Sequence, residues 1–269
     1  MTPFHAARSG HRYHVEIGGA GDPLVLLHGF SGAAASWRAV SKRLADCCQC
    51  FAIDLLGHGR SDAPADAARY RMKSVAADIV DLLDELKLTK PNLLGYSMGG
   101  RLALYLALEF SERFGALILE SASPGLADDG ARAERRRRDL RLAEMIEKDG
   151  IASFVAAWES LPLWTSQSAV QIGAQRSQRM SNSALGLANS LRGMGTGAQP
   201  NLWEKLPNLT APTCLIVGER DEKFRRTNQL MAAAMPLASL SIITAAGHNT
   251  HLENPDAFCR TLLSFIQRL

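Results

Sequence analysis

Short apolar runs alternate with stretches of helical period along the first part of the chain. Tyr13 to Ile17 and Leu24 to Leu27 read as strands, and Ser36 to Leu44 reads as a helix. Phe51 to Asp54 is a further strand, followed by the glycine turn Gly57-His58-Gly59. From Ser74 to Leu86, the residues Val75, Ile79, Leu82, Leu83 and Leu86 fall on one helical face. Asn92 to Leu94 reads as a strand, Met98 to Phe110 as a helix and Ala116 to Leu119 as a strand. This alternation predicts a mostly parallel sheet, because parallel neighbours need crossovers and helices supply them.

The rhythm breaks after Ser123-Pro124-Gly125. From Ala127 to Pro207 the pattern is helical without a convincing strand, Arg, Ser, Gln and Asn become more frequent, and Gly193, Gly195 and Gly197 suggest a loose connection. Strand rhythm then resumes with Thr213 to Val217 and Leu240 to Thr244, separated by a helix over Phe224 to Ala234. An amphipathic helix over Pro255 to Leu269 closes the chain. The expectation is an α/β core made of residues 1–123 and 208–269, carrying a helical cap at 124–207.

Composition narrows the function classes. With 46% hydrophobic and 21% charged residues the chain is globular rather than disordered. Apolar runs such as Leu24 to Leu27 fall far short of the ~18 residues a membrane span needs. The first residues include His5, Arg8, His11, Arg12, His14 and Glu16 and no apolar stretch, so no secretory leader is expected. Of five cysteines, three crowd at Cys47, Cys48 and Cys50, which fits a reducing cytoplasm better than a disulfide scaffold. Those three lead into a predicted buried strand with no partner histidine at ligand spacing, so they read as small apolar filler and no metal is expected. The net charge of +3 does not by itself call for a polyanion. Between Arg132 and Arg141 six arginines face two acids, but Asp128, Asp129, Glu144 and Glu147 flank them. Arg135 to Arg138 and Arg141 therefore read as a solvated helix face, and no nucleic-acid partner is expected.

The strongest chemical signal is Gly95-Tyr96-Ser97-Met98-Gly99, a G-x-S-x-G motif between a predicted strand and a predicted helix. So sharp a turn strains the serine backbone, demands small residues on either side and presents the hydroxyl above the sheet. The Met98 amide, at the helix start, is then placed to stabilise negative charge. An activated serine needs a base, and the base an orienting carboxylate. Asp221 and His248 each follow a predicted strand end, where sites of open α/β sheets collect. Glu219 and Glu222 compete with Asp221, and His251 competes with His248. The loop His28-Gly29-Phe30-Ser31-Gly32 follows an early strand, and its Phe30 amide is the candidate second oxyanion donor, with His28 a structural residue of the loop.

Four segments resemble the α/β-hydrolase superfamily: Leu27-His28-Gly29-Phe30, Asp54 to Ser61, Gly95 to Gly100, and Gly247-His248 through Asn254-Pro255. Gly95 to Arg101, Glu120 to Leu126, Gly218 to Phe224 and Gly247-His248-Asn249 look like the 2-succinyl-6-hydroxy-2,4-cyclohexadiene-1-carboxylate (SHCHC) synthase family of menaquinone biosynthesis. The resemblance spans the chain. It implies an α/β-hydrolase fold, a mostly parallel sheet with a helical cap insertion, and a cofactor-free lyase. Such an enzyme takes a proton beside the succinyl ketone and expels pyruvate from 2-succinyl-5-enolpyruvyl-6-hydroxy-3-cyclohexene-1-carboxylate, with Ser97 acting as base. It also implies a small substrate with three carboxylates, which guanidinium groups suit. Arg101, four residues past Ser97, is the best-placed cation; Arg132 and Arg176 match the family's arginines in the insertion, and Tyr96 and Trp158 are candidate pocket residues. Where some relatives carry glutamine after Pro-Gly-Leu, this chain has Ala127. A serine hydrolase of a small acidic ester or carbon–carbon substrate, and a non-catalytic receptor on the same fold, are the rival readings.

Overall fold

A computed structural model of the chain describes residues 2–8 as backbone and 10–269 with side chains; Met1 and Ser9, inside the predicted core range, lie outside the described residues. The elements run β1 (Thr2–Arg8), β2 (His11–Gly18), β3 (Asp22–Leu27), α1 (Arg38–Arg43), β4 (Cys48–Ile53), α2 (Met72–Glu85), β5 (Asn92–Tyr96), α3 (Met98–Glu109) and β6 (Leu117–Glu120). Then follow α4 (Asp129–Glu159), α5 (Ala169–Met180), α6 (Ala184–Met194), β7 (Thr213–Gly218), α7 (Glu222–Ala234), β8 (Ala238–Ile243), α8 (Thr250–Glu253) and α9 (Pro255–Ile266). The strands form one sheet in the order β1-β2-β4-β3-β5-β6-β7-β8. β1 and β2 are antiparallel additions at one edge, and β3 to β8 run parallel.

Strand side chains alternate between the two faces of the sheet. Val25 and Leu27 of β3 join a core with Val75 and Ile79 of α2 and Leu102 and Leu106 of α3. Leu24 and Leu26 enter the opposite core with Val40 of α1 and Phe258 and Leu262 of α9. Burial on both faces explains why β3 reads as an unbroken apolar run rather than an alternating one. The insertion between β6 and β7 has a smaller core of its own, with Ile146, Phe154, Leu187 and Leu191. α4 is broken at Gly150, whose φ of 81° leaves the helical region.

Four local expectations change. β1 lies where no strand was legible, because His5 and Arg8 interrupt an apolar pattern that an edge strand does not need. The predicted Ser36 to Leu44 helix is a 3₁₀ turn at Ala34–Trp37 leading into the shorter α1. The closing helix ends at Ile266. Gly193, Gly195 and Gly197 are not a loose linker: Gly193 and Gly197 are buried where the backbones of Tyr70 and Arg136, respectively, leave no room for a Cβ.

Candidate active site

Ser97 follows the last residue of β5 and caps α3 with φ 51° and ψ −107°. A non-glycine residue there stores backbone strain, which marks a position held by its surroundings. The turn closes because its neighbours lack side chains. A Cβ on Gly99 would overlap the carbonyls of Leu27 and His28, and one on Gly95 would overlap Gly99. The Ser97 amide donates to the Glu120 carbonyl at 2.8 Å, so the turn is pinned to β6.

Three chain-distant side chains meet over the carboxyl ends of these strands. The Ser97 hydroxyl lies 3.1 Å from His248 Nε2. His248 Nδ1–H donates to Asp221 Oδ2 at 2.6 Å. Both His248 and Asp221 are buried, so the bond between them is poorly screened by water. Asp221 also accepts the Phe224 amide, so its capping role and its bond to the histidine coexist. The competitors have other partners. Glu219 accepts the Ala245 amide, Glu222 pairs with Arg226, and His251 Nδ1 donates to buried Glu120 at 2.7 Å. Such an arrangement can deprotonate the Ser97 hydroxyl and pass the proton to imidazole.

Phe30 and Met98 both line the cavity, and among the described residues neither backbone amide has a protein acceptor. His28 is a loop residue: its Nε2 accepts the Leu55 amide at 2.9 Å and its Nδ1–H donates to Gly29 O. Burial pushes its pKa down to about 4, which keeps the ring neutral.

The cavity holds about 690 Å³ between the strand ends and the cap. Arg101 is buried on its wall, donating to the Met194 carbonyl at 2.7 Å and to Gln199 at 3.3 Å. It has no carboxylate partner among the described residues. Burial, with the nearby Arg135 charge, brings its pKa down to about 10, so it remains cationic at neutral pH. Asp139 is near enough to offset part of this charge, but it is bonded to Arg135, so two guanidiniums share one carboxylate and an anion in the cavity would find excess positive charge there.

The arginines predicted on the cap are placed differently. Arg132 pairs with Asp129 on the first turn of α4 and does not reach the cavity lining. Arg135 does, bonded to Asp139 at 2.7 Å, so one member of the supposed solvated face turns inward. Arg176 points outward from α5 and pairs with Glu159. Arg179, three residues on, is the arginine of α5 that lines the cavity. It is buried, bonds Glu159 at 3.0 Å and Gln175 at 3.0 Å, and lies over the Trp164 ring at 5.2 Å. Spacing could have found it, because Gln175, Gln178, Arg179 and Asn182 recur at helical period on one face of an otherwise polar helix. Tyr96, Trp158 and Trp164 line the cavity. Tyr96 Oη, Ser121 Oγ, Trp158 Nε1 and Trp164 Nε1 are buried there without hydrogen-bond partners among the described residues. All four can donate, which favours an acceptor-rich occupant. No group of His, Cys, Asp and Glu suited to a metal occurs among the described residues.

Comparison with known proteins agrees with this architecture. The profile of the alpha/beta hydrolase fold family matches residues 22–255. A Bacillus subtilis protein, named provisionally as a 2-succinyl-6-hydroxy-2,4-cyclohexadiene-1-carboxylate synthase, is 44% identical over 96% of this chain and 95% of its own. The protein of that name from Salmonella paratyphi C is 36% identical over 96% of this chain and 98% of its own. The solved structure of MenH from S. aureus superposes with a TM-score of 0.90 at 35% identity, covering 95% of this chain and 98% of that one.

Proposed function

The chain belongs to the alpha/beta hydrolase fold family, and from that premise we propose that it is an SHCHC synthase of menaquinone biosynthesis. In this reading it is a carbon–oxygen lyase that uses Ser97, His248 and Asp221 to start a pyruvate elimination. Its relatives' names point to that reaction. The observation that carries the reading onto this chain's own residues is Arg101, buried on the cavity wall four residues beyond Ser97 with no ion pair among the described residues. A buried cation on the cavity wall suits a carboxylate-bearing substrate better than a neutral ester.

The reaction proceeds as follows. Ser97 Oγ takes the ring proton beside the succinyl ketone while its own proton passes to His248 Nε2. Asp221 stabilises the imidazolium that forms. The electron pair left on the ring forms a double bond to the neighbouring ring carbon, the ring's existing double bond shifts one position toward the carbon that bears the enolpyruvyl group, and the bond from that carbon to the enolpyruvyl oxygen breaks. The departing pair leaves on oxygen as pyruvate enolate; its carbon takes up a proton to give pyruvate, and this is balanced by loss of the proton that His248 gained, which returns the imidazole to its neutral form. The amides of Phe30 and Met98 supply donors for the ketone oxygen as the proton leaves. Arg101, Arg135 and Arg179 face the substrate carboxylates, and Tyr96 and Trp158 shape the wall. Every step uses side chains and backbone of this chain, with no cofactor.

The test is pyruvate release from the enolpyruvyl cyclohexene substrate, followed through a coupled dehydrogenase. Release that falls by at least ~10³-fold in Ser97→Ala supports the reading. Absence of release together with rapid cleavage of activated esters would replace it with a serine hydrolase.

A further inference from the structure

His248 sits on a loop, and two carboxylates outside the Ser97–His248–Asp221 line hold that loop. Glu253 Oε2 accepts the Gly247 amide at 2.7 Å, and Glu253 Oε1 accepts the Asn249 amide at 3.1 Å. One carboxylate therefore ties down the peptide groups on both sides of His248. The following residues are tied by Glu120, the fully buried last residue of β6. Its Oε1 accepts the Thr250 hydroxyl at 2.7 Å and the His251 amide at 3.0 Å, and its Oε2 accepts His251 Nδ1–H at 2.7 Å. The His251 ring is in turn stacked on Trp37, with centroids 4.4 Å apart.

Glu120 has a second attachment. Its main-chain carbonyl accepts the Ser97 amide at 2.8 Å. The same residue thus holds the serine's backbone with its own backbone and the histidine's loop with its side chain. Burying a carboxylate is costly unless donors surround it, and here three donors do. We propose that Glu120 and Glu253 are positioning residues that set the Ser97–His248 registration, and so the basicity of Ser97. This rests on the lyase reading for its substrate, but not for its geometry. Misplacing a reacting group by about 1 Å can cost about 10²-fold in rate. Charge-assisted bonds are stiffer than neutral ones.

The experiment uses Glu120→Gln and Glu253→Gln in the full chain. Glutamine keeps the shape but turns an NH₂ toward groups that are themselves donors. Two rates are read: kcat and KM for pyruvate release, and covalent reaction of Ser97 with a fluorophosphonate. In the second, Ser97 Oγ bonds phosphorus, fluoride leaves and the serine proton passes to His248. The expected result is a fall of about 10- to 100-fold in both kcat and phosphonylation, with KM within about threefold. Thr250→Val is the milder variant if either glutamine chain fails to fold; it removes one of the donors to Glu120 and should slow both rates about three- to tenfold. Folded variants that keep both rates within about twofold of the parent overturn the proposal. A parent chain that releases no pyruvate sinks the lyase reading alone, because the fluorophosphonate rates still decide the positioning role.

Discussion

Arg101, Arg132, Arg176 and Arg179 show how far a residue can be read from its neighbours in the chain. Arg101 was legible because it stands one helical turn past a motif whose geometry is nearly invariant. On the cap no such anchor exists, and a helix turns about 100° per residue, so an alignment slip of three residues decides between solvent and cavity. Arg101→Ala should lower kcat/KM by ~10²-fold, since it removes a buried partner for a carboxylate. Arg179→Ala should cost a similar factor, mostly in KM if the contact is equal in ground and transition states. Arg132→Ala removes an exposed partner of Asp129, and Arg176→Ala removes an exposed guanidinium from the buried Glu159, which keeps Arg179; both should stay within about threefold. Steady-state kinetics on the four variants checks the ordering, and equal losses at Arg132 and Arg179 would contradict the placement.

Elements were legible where burial imposes a period. β3, β5, β6 and β7, at the centre of the sheet, read as short apolar runs because helices cover both faces. β1, at the edge, carries no such pattern, since its partners are on one side only. The strand-to-helix turn at Ser97 depends on close approach rather than on periodicity. Gly99→Ala would push a methyl into the Leu27 and His28 carbonyls of the neighbouring strand end. We expect overpacking of about 1–3 kcal/mol or more, seen as a fall of several degrees in Tm together with lost activity. A variant that melts with the parent and keeps its kcat would show that the turn relaxes. Gly193 in the last turn of α6 and Gly197 just beyond it have the same meaning: they are contacts where backbone meets backbone, which a one-dimensional reading takes for looseness.

At the scale of the whole molecule, pH acts through histidines the reaction does not use. Burial lowers the pKa of His28 to about 4, and burial with the His28 charge lowers that of His58 to about 3. Their rings are 5.1 Å apart in the loops beneath the cap. The unfolded chain titrates these groups near 6.5, so between about 6.5 and 4 it binds more protons than the folded chain. Stability should then rise with pH and fall on acidification. Each histidine contributes a slope of up to about 1.4 kcal/mol per pH unit. Urea midpoints measured from pH 7.5 down to 5 should fall below about 6.5, and a flat profile there would refute the neutral buried pair. The chain alone determined the α/β alternation, the presence of a helical insertion and the three segments that carry Ser97, Asp221 and His248. These follow from the period of burial and from local turn sterics, both written along the chain. Tertiary structure decided which cap arginines line the cavity, which histidine meets the serine and which carboxylates hold its loop. Those choices depend on rotations and distances between elements, and such quantities exist only once the elements have packed.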